Sequence, residues 1–186
     1  MACTSLVALA RECGASGIAG GLNNLYMIGF ADTAVPESAT DNNIYTLSAG
    51  GIVSAIGLAT GKTFVEIGLL KSTAGLTETL TKDTTKGSAY FTQELVMVLS
   101  DLSTDNQTFV QSVLNQPVVI VLKTRTNKYY AAGLNGQLEL SALTGGTGTA
   151  EGDLMGYNLT FSGIDTILIP QVDSTIIDTL LGISES

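Results

Sequence analysis

One stretch of this chain has a helical period, and its neighbours on both sides do not. Ser103 or Thr104 can cap it, Asp105 suits the positive end of a helix dipole, and Phe109, Val110, Val113 and Leu114 fall on one face. This predicts a helix over Ser103 to Asn115, which Pro117 stops. Before it lies Ser88 to Leu99, ending in Leu95-Val-Met-Val-Leu99, and after it comes Val118-Val-Ile-Val-Leu122. Both have strand length and β-branched composition, so a lone helix is wedged between two long strands.

The rest of the sequence extends that pattern. A first strand is expected over Leu22 to Phe30, and short strands at Ile44 to Leu47 and Ile52 to Ile56 inside a Gly-, Ser- and Thr-rich loop, residues 39–62. Phe64 to Lys71 and Leu76 to Lys82 are joined by a connection short enough for an antiparallel hairpin. In the second, Thr77, Thr79 and Thr81 alternate with Leu76, Glu78 and Leu80. After Leu122 the strand turns polar through Lys123 and Arg125, and Asn127-Lys128 and Asn135-Gly136 are turn signals around Tyr129 to Ala132 and before Gln137 to Ser141. Thr144 to Gly152 has the composition of a flexible loop. In Leu154 to Ser162, Met155, Tyr157, Leu159 and Phe161 alternate as in a half-buried strand. The tail offers a short strand plus a docking helix, or an extended arm. The expectation is a mainly β fold, an antiparallel sandwich or barrel of about eight strands with one inserted α-helix. A chain of 186 residues suits one domain, 1–186, with an N-terminal arm 1–21, the long loop 39–62 and a C-terminal arm 164–186.

Charge narrows the function. Only 13% of residues are charged, seventeen acids face eight bases, and histidine and tryptophan are absent. Such a balance disfavours tight binding to duplex DNA, whose affinity rests on lysine and arginine. It is compatible with DNA passing a weakly repulsive wall. Low charge with positive mean hydropathy leaves few groups to solvate an isolated monomer, which points to contacts with other copies.

Motifs for chemistry are poor matches. Gly57-Leu-Ala-Thr-Gly61-Lys62-Thr63 lacks the four-residue spacing of a phosphate loop and runs into Phe64-Val-Glu-Ile, a strand pattern where a helix N-terminus is needed. No histidine is present to activate a serine, and there is no Gly-x-Ser-x-Gly elbow. Cys3 and Cys13 lack zinc spacing and are expected as reduced thiols. No cofactor or metal is expected. Asn42 to Gly61 is uncharged but too polar for a membrane span, and Leu6 to Ala10 is too short for a signal-peptide core. Glu66, Glu78, Glu94 and Glu139 fall in expected strands, where an acid–base pair for glycoside chemistry competes with plain solvated carboxylates. Lys123, Arg125, Lys128, Tyr129 and Tyr130 form the one basic-aromatic cluster. It could stack on nucleic acid, or grip the acidic face of a neighbouring copy; the overall charge favours the second.

The opening, with Cys3, Leu9-Ala-Arg-Glu-Cys-Gly14, Ala19-Gly-Gly-Leu22 and Leu25-Tyr-Met-Ile-Gly-Phe-Ala-Asp32, resembles virion proteins of phages and prophages of Bacteroidetes-type hosts. The later order of long strand, capped helix, strand and Tyr157-Asn-Leu-Thr-Phe-Ser-Gly163 is similar to that of their tail tube proteins. The match at motif level covers the N-terminal residues, and the organisation covers most of the chain. The resemblance implies a tail-tube-like fold whose curved antiparallel sheets join in a ring, usually a hexamer. Such rings stack into a hollow tail for DNA ejection. It implies self-association, contact with other tail proteins, transient passage of DNA, no membrane, no enzymatic activity, and a place in the virion after assembly in the bacterial cytoplasm. On this reading Glu66, Glu78, Glu94 and Glu139 are lumen candidates, and the basic-aromatic cluster is a subunit-contact candidate. A virion or filament protein without a DNA-conducting pore is the alternative.

Overall fold

The computed structural model describes residues 20–39, 41–69, 73–85, 87–150 and 153–183. Cys3, Cys13 and the N-terminal arm up to Ala19 lie outside the described residues. The fold is mainly β, as expected: two sheets packed as a sandwich, with eleven strands among the described residues.

The larger sheet has seven strands in the order β2-β3-β11-β8-β7-β1-β4. They are β1 (Leu22–Gly29), β2 (Tyr45–Leu47), β3 (Val53–Ile56), β4 (Val65–Ile67), β7 (Val118–Thr124), β8 (Tyr129–Ala132) and β11 (Gln171–Val172). The smaller has four, in the order β5-β6-β10-β9: β5 (Ala74–Asp83), β6 (Ser88–Ser100), β10 (Gly156–Asp165) and β9 (Glu139–Gly146). Every pairing is antiparallel except β3 with β11.

The unbroken apolar run of β7 follows from this layering. Alternate residues point to opposite faces of a strand, so a strand with both faces covered must be apolar at every position. Val118, Ile120 and Leu122 face the smaller sheet, in a core with Leu95, Met97, Leu99, Leu159 and Phe161. Val119 and Val121 face the other way, into a second core with Val53, Ile56, Phe64, Ile177 and Leu180. The last two belong to the short helix α2 (Ile177–Leu180), so the tail docks on its own chain as strand plus helix.

Helix α1 (Thr104–Val113) closes one end of the first core with Val110 and Val113. Ser103 caps it, its Oγ accepting the Asn106 N–H at 3.4 Å, while Asn106 Nδ2 donates to the carbonyls of Ser100 and Asp101. The helix ends earlier than expected. Leu114 is therefore a cap residue, 45% exposed, rather than part of the buried face.

Two other expectations change. Residues 64–71 and 76–82 do not form a hairpin: β4 pairs with β1 in the larger sheet, while β5 pairs with β6 over ten registered residues. The tighter connection lies after Asp83, where Gly87 adopts φ of 67°, so the earlier link crosses between sheets. The glycine-rich stretch also does more than loop. β9 continues through Thr144, Gly145 and Gly146, which pair with Asn158, Tyr157 and Gly156, and a glycine is needed at 145 because a Cβ there would stand 2.7 Å from the Tyr157 ring that lies across it. The turn beyond is closed by Asp153, whose carboxylate accepts from the Thr149 and Ala150 N–H groups and the Thr149 hydroxyl. Those bonds to the charged form hold its pKa below the usual carboxylate value.

Candidate functional site

The two faces of the four-stranded sheet differ. Leu76 of β5, Leu95, Met97 and Leu99 of β6, Leu159 and Phe161 of β10 and Leu140 of β9 point into the core. The intervening residues form a face that nothing in the described chain covers. One row across it is set by register: Thr77 opposes Glu94, Glu94 opposes Ser162, and Ser162 opposes Glu139. Neighbouring rows add Thr79, Thr92, Val96, Asn158 and Thr160. Among the described residues this face carries the acids Glu94, Glu139 and, at the far end of β5, Asp83, with no lysine or arginine.

The edges of the same sheet are also open. Among the described residues β5 has only β6 as a strand partner and β9 has only β10. Unpaired strand edges present rows of N–H and C=O groups that readily take another strand. Both edges reach past the cover of the larger sheet. Leu143 of β9 points inward beside Leu159, yet it is 40% exposed where Leu159 is fully buried. Leu80 of β5 also points inward and is 55% exposed. Leu154 and Met155 are exposed just before β10, and Leu168 just after it.

Under the β5 edge the two sheets part around a crevice of about 360 Å³, walled by Leu22, Leu76, Leu122, Tyr130 and Ile169. Glu78 is its one acid. Its carboxylate accepts the Ile169 N–H at 2.9 Å. Partial burial raises the pKa of Glu78; the Ile169 bond opposes that rise, and the charge of Asp165 adds to it.

The four glutamates therefore do not share a surface. Glu94 and Glu139 stand in one row of the uncovered face, Glu78 turns into the crevice, and Glu66 lies on β4 in the other sheet. There Glu66 accepts from Asn24 Nδ2 at 2.6 Å. Together with burial, the larger cause, its charge raises the pKa of Tyr26. The basic-aromatic cluster also divides. Lys123 lies 5.4 Å from the Tyr129 ring centroid. Tyr130 points the opposite way, into the crevice, as alternation along β8 requires. The Arg125 N–H donates to the Gly21 carbonyl, and Lys128 is exposed in the turn.

A second cleft, of about 400 Å³, lies between α1 and the β1–β4 edge and includes Lys62 and Asp32. Their charges meet at 2.9 Å, and Gly61, at φ of 74°, leads into strand β4 rather than a helix. The geometry of a phosphate loop is not formed there. Among the described residues no group of three His, Cys, Asp or Glu side chains is placed to hold a metal ion. No helix among them is long and apolar enough to cross a membrane.

Sequence reasoning did not single out Leu143, Leu80 or the crevice. Leu143 sits between the expected strand Gln137 to Ser141 and the expected loop from Thr144, and exposure of an inward residue depends on how far the opposite sheet extends. Neither a protein-family model, nor a curated protein, nor a solved structure matches the chain.

Proposed function

We propose that the chain is a structural, non-enzymatic subunit of a phage tail tube, joining copies of itself through its four-stranded sheet into stacked rings around a channel for DNA. One observation carries this reading: among the described residues, an antiparallel sheet open at both edges has an uncovered face with acids and no bases.

The strand count matters. Directions alternate across β5, β6, β10 and β9, so an even number of strands brings the next β5 to β9 in antiparallel sense. The continued sheet then keeps the same inner and outer faces. Such a contact joins two different surfaces, and a heterologous contact that closes makes a ring. Closure also removes the exposed edges that would otherwise recruit strands at random. The uncovered face lines the channel, where Glu94 and Glu139 repel phosphate while threonines present a neutral wall. Glu78 and Glu66 are not part of that lining. Lys123, Arg125 and Lys128, outside the sheet, remain the candidates for gripping an acidic neighbour.

Electron microscopy of the concentrated protein tests the proposal. Stacked rings with an open centre are expected. Particles that stay single at high concentration would contradict it, and solid filaments would replace it with a polymer lacking a pore.

A further inference from the structure

Resting on that reading, we infer that the crevice under β5 is the socket for a second copy, filled by the apolar overhang at its β9 edge, Leu143. The crevice and the overhang lie on the same inward side of one sheet, at its two opposite edges. When β9 of one copy lies beside β5 of the next, the inward residues of the two strands become cross-strand neighbours. Leu143 then meets Leu76 and the mouth of the crevice, not solvent.

Each half lacks something that the other supplies. On the β9 side, Leu143 is 40% exposed although it sits beside a fully buried leucine. On the β5 side, Leu76, Leu122, Tyr130 and Ile169 surround space that no described side chain fills. Bringing the two together removes apolar surface from water on both, the main source of favourable energy in association. The half-closed socket also gives the contact direction. A β5–β5 or β9–β9 pairing would join two sockets or two overhangs, which disfavours closed pairs and favours head-to-tail growth.

Glu78 marks the cost. Its carboxylate is already partly desolvated beside Ile169, and an entering leucine would remove more water from it. β9 brings no cation to that position, so docking is expected to tighten as pH falls toward the range in which Glu78 takes up a proton. Asp165, the crevice-lining Tyr130, Arg125, whose guanidinium lies against the crevice-lining Gly21, and Lys82 on the same side of β5 are the other titratable and charged groups toward that side.

The test pairs a disruption with a proximity measurement. Leu143→Glu is expected to raise the concentration for half-assembly by at least about tenfold, the scale of a central interface residue, while Leu143→Met assembles like the parent. Unchanged thermal unfolding of the dilute Leu143→Glu chain shows that its fold is intact. In parallel, a chain carrying Leu143→Cys is mixed with one carrying Ile169→Cys under a short bis-maleimide. A crosslink between the two chains is expected. Rings that form equally well with Leu143→Glu and give no such crosslink would overturn the socket while leaving the tube reading in place. Absence of rings from the parent chain would overturn both. A crosslink from Ile169→Cys to Cys3 or Cys13 instead would put the chain's own first residues in the crevice, and would also overturn the assignment.

Discussion

The two sheets of this molecule are finished to different degrees. The seven-stranded sheet is covered on both faces, by the smaller sheet and α1 on one side and by α2 with its neighbouring segments on the other. Among the described residues the four-stranded sheet is covered on one face only, and its edges overhang that cover. The interior strand β7 of the first is therefore apolar from Val118 to Leu122, while in the second the covered face carries leucine, methionine and phenylalanine and the uncovered face mixes threonine, serine and glutamate with Val96, Val98 and Ile164. One sheet holds the monomer together. The other is what the monomer presents.

Phe161→Ala should give the largest effect, because the ring is fully buried between the sheets and its loss leaves a cavity. We expect about 3–5 kcal/mol of lost stability by denaturant unfolding. Leu180→Ala comes next at about 2–5 kcal/mol, since α2 covers the second face of the larger sheet. A cost near zero there would mean that the tail is an arm for neighbours and not part of the monomer, which would break the contrast between the sheets.

That contrast was partly legible in the sequence. Val118-Val-Ile-Val-Leu122 announced a strand, and Met155, Tyr157, Leu159 and Phe161 announced the alternation of β10, although Met155 falls outside the strand that forms. Ser103 marked the start of the helix at the residue that does cap it, whereas the helix ends at Val113, short of the stop expected from Pro117. Strand partners were less legible, because the short β4 is placed by β1 across a sequence separation of 42 between Asn24 and Glu66, not by its neighbour β5. For the site, Glu94 and Glu139 could be named but not set in one row, since that row depends on the registers of three pairings. The β5 crevice is a property of two sheets diverging, and no local pattern encodes it.

Smaller effects sharpen the comparison on the side of the presented sheet. Glu78 has a raised pKa in the folded chain, so the folded state binds more protons than the unfolded one between the ordinary value of 4.5 and that raised value. Its contribution is most favourable at low pH and declines as pH rises through that window. Glu78→Gln should flatten this part of the stability-versus-pH curve, measured by urea unfolding at several pH values. Glu94→Gln, on the uncovered face, should change monomer stability by less than about 0.5 kcal/mol in the same assay. A larger loss would show that this face is held by contacts within the chain.

The claim that copies join through the edges of the four-stranded sheet is tested most directly by amide hydrogen exchange, comparing the dilute monomer with the concentrated assembly. The account predicts that amides of β5 and β9 slow together on assembly, while those of the other edge strands, β2 and β4, keep their monomer rates. Assembly that leaves β5 and β9 exchanging as in the monomer, or that slows β2 and β4 instead, would contradict it.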